Sequence, residues 1–446
     1  MTRAACLAVR IFIGVALLLT WALGGSRAHA GFVGKNGSIV FSGRTSTGKL
    51  DIWTISPDGR GRKDLTTGNS LRDRSPAVSP EGGVHIAWVA SRAGCRGGCP
   101  GDIWIMNSRG KRRFNATRTA DRDEESPTWA PSGGVVAFSR RPARRGHSDI
   151  WSMLWTGASP KRLTWTSAND IEPAFSPIDR RIAFASDRSG SYGIYTIDPG
   201  GNDVRRLAKH GRSPDWKPEG TAIAFARGGD VWTMRKDGTH QRQLTRGGKD
   251  SDPAYSPNGK RIAFRRGAAV MTITTAGGGL RRVTGSSFSA SAPNWRPMCT
   301  RRGTDGSNRL VGTNASELFC PGRGNDMVLA EGGSDRVYAG AGTDTVYGGP
   351  GRDFIEGGMG SYKDVLYGGG AGDYVMANKG NDTVVGGSGS DFLLGGPGND
   401  TVLGRDGVYG NDWEVGASAA DTCSADLRTK SDRREDKVVS CEHLIR

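Results

Sequence analysis

Nine aspartates climb the C-terminal part of this chain at a fixed step. They are Asp326, Asp335, Asp344, Asp353, Asp364, Asp373, Asp382, Asp391 and Asp400. Neighbours are nine residues apart, apart from eleven between Asp353 and Asp364. Two residues after each stands an aliphatic side chain: Val328, Val337, Val346, Ile355, Leu366, Val375, Val384, Leu393 and Val402. Glycines crowd the positions before each Asp. The copies around Asp353, Asp391 and Asp400 read G-G-x-G-x-D-x-U-x in full, with U aliphatic. A flexible Gly/Asp linker has no reason to hold this spacing.

The residue types imply a local geometry. Gly, Asp and small polar residues make a turn that needs positive φ, which glycine adopts without steric cost. The next three residues make a short strand. Side chains alternate along it, so the aliphatic residue points inward and its neighbours outward. Two nonapeptides then close one coil of a flattened roll. Asp326, Asp344, Asp364, Asp382 and Asp400 fall on one edge, and Asp335, Asp353, Asp373 and Asp391 on the other. The nonapeptide, with its lead-in Gly312–Cys320, resembles the hemolysin-type (RTX-like) calcium-binding repeat. That resemblance implies several calcium ions held by the nine Asp residues. Calcium takes about six to eight oxygen ligands, so one turn is too poor a donor set and turns on the same edge must share an ion. The insertion Ser361-Tyr362 is expected to weaken sites at the Asp364 turn. Ala371 and Ala377-Asn378, in place of glycines, mark further unequal rungs. Asp335–Asp353, Asp326–Asp344 and Asp382–Asp400 are the expected pairs. Asn308 and Glu317 read as leading rungs that cap the roll, and the ladder fades after Asp400.

From Ser38 to Pro297 four pieces recur in order. An apolar strand ends in an aromatic at Phe41, Trp88, Phe138, Phe184, Phe225 and Phe264. Asp-Ile-Trp or a variant follows, at Asp51–Trp53, Asp102–Trp104, Asp149–Trp151, Gly193–Tyr195, Asp230–Trp232 and Ala269–Met271. A short Leu-Thr piece comes next, degenerate at Phe114 and at Leu207-Ala208. Pro-x-aromatic-x-Pro or a near variant ends each copy, at Pro76, Pro127, Pro173, Pro214, Pro253 and Pro293. Six copies of four strand-like pieces predict a six-bladed β-propeller. If the fourth piece is the innermost strand, the last copy completes the blade begun by Ile39–Phe41 and fastens the ring. Ser-Pro-x-Gly, Ile-Ala-Phe, Asp-Ile-Trp and Leu-Thr in this order resemble the TolB-type, WD40-like propeller repeat. TolB itself carries an α/β domain ahead of its ring, so a Tol–Pal role is not implied. The repeated Trp residues read as packing, not as a carbohydrate platform. The fold class is therefore all-β, a six-bladed propeller followed by a parallel β-roll.

The remaining features place the chain. Residues 1–30 read as a secretory leader, with Arg3 and Arg10, an apolar run Ile11–Leu23 and Ala28-His29-Ala30 as the cleavage site. Residues 31–298 form the propeller, 299–416 the roll and 417–446 a cap or tail. The six later cysteines group as Cys95–Cys99, Cys299–Cys320 and Cys423–Cys441, which suits an exported protein. The net charge is +16, yet 303–416 carries −9 and the remainder +25. No apolar segment of the mature chain is long enough to span a membrane, and no platform of aromatic and basic residues suggests nucleic acid. No G-x-S-x-G, no H-E-x-x-H and no ligand-like His spacing appears, so no catalytic residue is expected. The sequence points to a secreted, monomeric, non-catalytic calcium-binding protein. Its propeller would bind a protein or a cell-envelope polymer. An extracellular hydrolase or lyase on the propeller rim is the alternative.

Overall fold

A computed structural model describes residues 33–44, 48–92, 99–142, 146–178, 181–286, 288–358, 360–404, 412–418, 420–424, 437–439, 441 and 443–445. The leader, Cys95 and residues 143–145 lie outside the described residues. Every described element is a strand, and the described chain divides into two compact units at Met298/Cys299.

In the first unit the four recurring pieces become antiparallel four-stranded sheets, six times over. Blade two comprises Leu71–Val78, His85–Arg92, Gly101–Asn107 and Phe114–Asn115; blade three Arg122–Trp129, Val135–Pro142, Asp149–Leu154 and Lys161–Arg162. Blade four comprises Asp170–Phe175, Ile182–Ser186, Gly193–Ile197 and Arg205–Ala208; blade five Arg212–Trp216, Ala222–Arg227, Asp230–Arg235 and Arg242–Gln243. Blade six is built from Asp250–Tyr255, Arg261–Arg266, Ala269–Thr274 and Arg281–Arg282. Blade one draws on both ends of the unit. Ser289–Met298 pairs with Lys35–Arg44, which pairs with Leu50–Ile55 and then Lys63–Asp64. Ile39 faces Trp295 and Val40 faces Asn294. The expected non-covalent closure is therefore the one that forms.

The repeated residues have visible jobs. Phe41, Trp88, Phe138, Phe184, Phe225 and Phe264 are fully buried. The Thr of the third piece accepts the amide at the centre of the Asp-Ile-Trp strand: Ile52 to Thr66, Ile103 to Thr117, Ile150 to Thr164, Val231 to Thr245 and Val270 to Thr284, at 2.9–3.0 Å. Blade two is thus not degenerate, because Ala116-Thr117 supplies the Leu-Thr function. Blade four is, with Ala208 in place of Thr.

Blades also couple in alternation. The indoles of Trp129, Trp216 and Trp295 donate to the carbonyls of Ala77, Ala174 and Ala254 in the preceding blade, at 2.9–3.1 Å. The residue before each Trp is polar. Asn294 accepts the Val78 amide at 2.8 Å, and Asp215 accepts the Tyr255 amide at 2.6 Å, both in the following blade. Each innermost strand carries a bulge at its proline, where the missing N–H costs no ladder bond. The residue before each proline, Ser75, Ser126, Glu172, Ser213, Asp252 or Ala292, has φ between +46° and +55°.

In the second unit, parallel strands stack into two sheets. Along one run Leu318–Cys320, Arg336–Ala341, Phe354–Gly358, Tyr374–Asn378 and Phe392–Pro397; along the other Met327–Leu329, Thr345–Pro350, Val365–Gly370, Thr383–Ser388 and Thr401–Leu403. All nine expected inward aliphatics are fully buried between them. Two departures from the sequence reading stand out. The roll does not end at 416. Trp413–Ser418, Thr422–Ser424, Lys437–Val439 and His443–Ile445 continue the same parallel pairing, with Cys423 buried at an inward position. Nor does the Ser361-Tyr362 insertion break the stack, because Val346 still faces Leu366 and Leu366 faces Val384.

Two stability outcomes follow from these environments. Asp215 is fully buried, its Oδ1 has no hydrogen-bond partner and burial raises its pKa well above the ordinary value. A raised folded pKa gives stability that is complete below the unfolded value and lost as pH rises toward the folded one. Asp215→Asn, which copies Asn294, should raise the propeller's stability at pH 8 by roughly 1–2 kcal/mol, with little gain near pH 4. Thermal melts across pH check this; an equal gain at both pH values contradicts it. Ala371 sits at φ +73° where the repeat has glycine. Ala371→Gly should stabilise the roll by about 1 kcal/mol, measured by denaturant titration of the roll's transition; a loss of stability contradicts the reading.

Candidate calcium centre

The nine expected Asp residues form two continuous stacks. On one edge the amides of Asn308, Asp326, Asp344, Asp364, Asp382 and Asp400 donate to Oδ1 of Asp326, Asp344, Asp364, Asp382, Asp400 and Asp421 at 2.7–2.9 Å. On the other, the amides of Glu317, Asp335, Asp353, Asp373 and Asp391 donate to Oδ1 of Asp335, Asp353, Asp373, Asp391 and Asp412 at 2.7–2.8 Å. Each carboxylate is thus clamped by the amide of the rung one coil earlier. Asp364 keeps its place in the stack despite the insertion.

The clamp uses one oxygen only. Oδ2 of Asp326, Asp335, Asp344, Asp353, Asp373, Asp382 and Asp400 is buried with no hydrogen-bond partner. All nine side chains are buried. A buried, unpaired carboxylate oxygen is costly unless a cation or a proton meets it. Burial accordingly pushes Asp344 and Asp382 up to about 6, with the backbone amide bond opposing. Asp353, Asp364 and Asp400 rise to about 7, Asp335 to about 8 and Asp373 to about 9, for the same reason.

The glycines make room for these oxygens. A Cβ on Gly395 would lie 2.6 Å from Asp400 Oδ2, and one on Gly348 2.6 Å from Asp353 Oδ2. Gly398, at φ +145°, brings its backbone so close to the coil below that a Cβ would reach 1.5 Å from the Gly380 carbonyl oxygen. The Gly368 carbonyl and Asp353 Oδ2 both flank the point where a Gly348 Cβ would stand, at 2.4 and 2.6 Å, and the Gly386 carbonyl and Asp373 Oδ2 flank that of Gly368, at 2.6 and 2.5 Å, so backbone carbonyl oxygens stand beside free carboxylate oxygens. Among the described residues no three His, Cys, Asp or Glu side chains converge on one point. The donor set is hard oxygen, one carboxylate per turn supplemented by backbone carbonyls. That chemistry fits calcium and suits neither zinc nor copper.

The leading rungs are satisfied internally. Arg301 Nε donates to Glu317 Oε1 at 3.0 Å, and the Thr313 amide donates to Oε2 at 2.7 Å. Asn308 Nδ2 donates to Asp326 Oδ1 at 2.7 Å. The sequence reading missed Asp421 and left Asp412 outside the ladder. Their signal was present: Asp421 follows Asp412 by nine residues, and Cys423 holds the inward position. Cys299 is bridged to Cys320 and Cys423 to Cys441, with Cα separations of 5.9 and 6.0 Å.

The propeller offers a second feature. The six residues before the prolines line an axial cavity of about 310 Å³. Of the charged residues that line it, Arg74 pairs with Glu125 and Glu172 with Arg212 at 2.8 Å, Ser213 donating its amide to Glu172 at 2.7 Å, whereas Asp252 accepts from Ser251 Oγ at 3.2 Å and Arg265 donates to the Gly267 carbonyl at 2.7 Å. Arginines lie over Trp53, Trp151, Tyr195 and Trp232 of the Asp-Ile-Trp strands. Arg140 lies 4.6 Å from Trp151 and Arg188 4.9 Å from Tyr195. These aromatics are packed, not displayed.

Comparison with known proteins agrees with both units. A profile described as the TolB beta propeller domain matches residues 74–299. One described as the RTX calcium-binding nonapeptide repeat matches segments within 321–409. A Protein TolB homolog of Chlorobium luteolum is 29% identical over 168 residues, 38% of this chain and 36% of that protein. Tricorn protease homolog 1 of Streptomyces coelicolor is 24% identical over 255 residues, 44% of this chain and 23% of that protein. This chain therefore spans 36% and 23% of the length of these two relatives. A crystal structure of TolB from Acinetobacter baumannii superposes with a TM-score of 0.49 at 24% identity, covering 58% of this chain and 67% of that one. The chain belongs to the TolB-type β-propeller family and joins that propeller to a roll of RTX calcium-binding nonapeptide repeats.

Proposed function

We propose that this is an exported protein whose roll is completed by calcium, and whose propeller is a non-catalytic binding module for a protein or polymer outside the cytoplasm. The observation that carries the first part is the row of buried Oδ2 atoms without partners. Asp326, Asp335, Asp344, Asp353, Asp364, Asp373, Asp382, Asp391 and Asp400 would hold several ions, with carbonyls of the adjoining glycine turns. Calcium would supply the positive charge that lets these carboxyls ionise inside the roll, and so couple metal binding to folding. The leader at 1–30 and the cysteine pairs support export. The Cys423–Cys441 bridge would keep the last coils from fraying when metal is scarce.

For the propeller, the axial cavity supports partner binding. Six residues are held at positive φ around it, and such conformations persist at positions the surrounding structure over-determines, commonly binding sites. Arg74, Glu172, Asp252 and Arg265, which line it, would give it polar specificity. Cell-envelope fractions passed over immobilised protein at stepped salt test this module. Retention above about 0.5 M salt, where exposed charges are strongly screened, and loss in Glu172→Gln, support a specific site; elution at low salt contradicts it.

The calcium reading is tested on the full chain. Metal analysis after gel filtration should find several ions per chain, and a chelator should lower the roll's unfolding temperature while leaving the propeller's transition in place. Absence of bound calcium at millimolar supply would overturn it. Gly395→Ala should weaken calcium binding by about tenfold, since it crowds the Asp400 carboxylate that a ligand must reach. The pH dependence has a definite sign. The metal-free roll should be most stable at or below about pH 4, where the unfolded carboxyls are also protonated, and lose stability from there up to about pH 9, as pH passes the unfolded and then the raised folded values. With calcium that decline should flatten, because metal replaces the proton. Melting curves at pH 5 and pH 8, with and without calcium, decide it.

A further inference from the structure

The propeller repeat places two acids in a typical blade. One opens the third strand: Asp51, Asp102, Asp149 or Asp230. The other lies three residues before the proline of the innermost strand: Asp73, Glu124, Asp170 or Asp250. The second acid takes an arginine that follows the core aromatic. Arg140 reaches Glu124 at 2.8 Å, Arg188 reaches Asp170 at 3.0 Å and Arg266 reaches Asp250 at 2.7 Å.

Where blade four meets blade five, both acids are glycine. Gly193 stands where the third strand of blade four should open with Asp, and Gly211 stands three residues before Pro214. Packing keeps them so. A Cβ on Gly193 would lie 2.6 Å from the Ala208 carbonyl oxygen, and one on Gly211 2.7 Å from the Phe225 ring. The arginine remains. Arg227 stacks on Phe225 and Trp232, at 4.9 and 4.7 Å, as Arg140 does on Phe138 and Trp151 in blade three. Its donors find only neutral acceptors, the His210 carbonyl at 3.0 Å and Gln241 Oε1 at 2.7 Å. Burial holds its guanidinium below the usual arginine range.

Arg227 does not stand alone. Arg206, Lys209, His210 and Gln241 line the same cavity, of about 390 Å³. Among the described residues, Arg206, Lys209, His210 and Arg227 make no ion pair. Ser191 Oγ lies 3.3 Å from His210 Nδ1 and holds the imidazole at the rim. We propose that this cavity is a phosphate-binding site, in which Arg206, Lys209 and Arg227 neutralise the anion and His210 orients it, while Gln241, its amide held by the Leu207 and Gly238 carbonyls, keeps Arg227 in place. Two guanidinium forks and an ammonium match a group of charge above one better than a lone carboxylate. The phosphate could be free or carried in a polymer as a phosphodiester; both present the same oxygens.

Isothermal titration of the full chain in calcium, at about 0.15 M salt to screen diffuse attraction, tests the site. The probes are inorganic phosphate and a poly(glycerol phosphate). Saturable binding of either is expected, and a gain for the polymer, compared per phosphate, would assign the polymeric source. Arg206→Gln with Lys209→Gln changes exposed side chains only and should weaken that binding by about tenfold or more. Arg205→Gln, whose partner is Asp203 at 2.7 Å, should leave it unchanged. No saturable binding of either probe, or equal loss in both variants, would overturn the proposal.

Discussion

The roll depends on one interaction repeated along two edges: a backbone amide clamping one oxygen of a buried aspartate. It fixes the coil spacing, because the donor amide and the acceptor carboxylate belong to rungs one coil apart. It also fixes which oxygen is spent and which is left. The left oxygens face inward among glycines, where a methyl group would collide with them. A stack of carboxyls is thereby held ready for charge that only a proton or a cation can supply. The buried aliphatics give cohesion, since each coil stacks the same residue type on the next. They do not solve the electrostatic problem that the carboxyls create.

The propeller solves a different problem. Its ring has no edge left open, because the strand ending at Met298 enters the blade begun at Lys35. Its blades are chemically unequal. Trp129, Trp216 and Trp295 tie each odd blade to its predecessor, and Asn294 and Asp215 tie two of them to their successor. The ring is better described as alternating odd and even blades than as six equal units. The arginine excess also has a structural reason: many of these side chains cap an aromatic and pair with an acid in the same sheet. Where the acids are replaced by Gly193 and Gly211, the arginine is kept and its charge is left for something else.

Much of this was legible in the residues alone. A nine-residue step with an aliphatic two places on specifies a stacked coil, because no other regular structure needs that period. The order of the four propeller pieces specified the closing strand. Other features were hidden for physical reasons. Asp412 and Asp421 were obscured by a long step, although the inward Cys423 restores the pattern. The insertion at Ser361 looked disruptive because sequence spacing cannot distinguish a loop thrown outward from a break in the ladder. Blade two looked degenerate because Ala116 is a poor mimic of Leu in sequence, while Thr117, the residue that makes the bond, was in place. The positive φ before each proline could not be read, since proline disfavours α-like backbone before it and only the bulge demands otherwise.

The central claim is that the clamped aspartates need calcium to stay stacked. Hydrogen exchange at the amides of Asp335, Asp353 and Asp373, read by mass spectrometry on the intact chain, measures the clamp itself, with propeller peptides as an internal reference. Strong protection in calcium that collapses in chelator at pH 8, while the propeller stays protected, is the result this account requires. Equal protection with and without calcium would show that the ladder stands without metal and would contradict it.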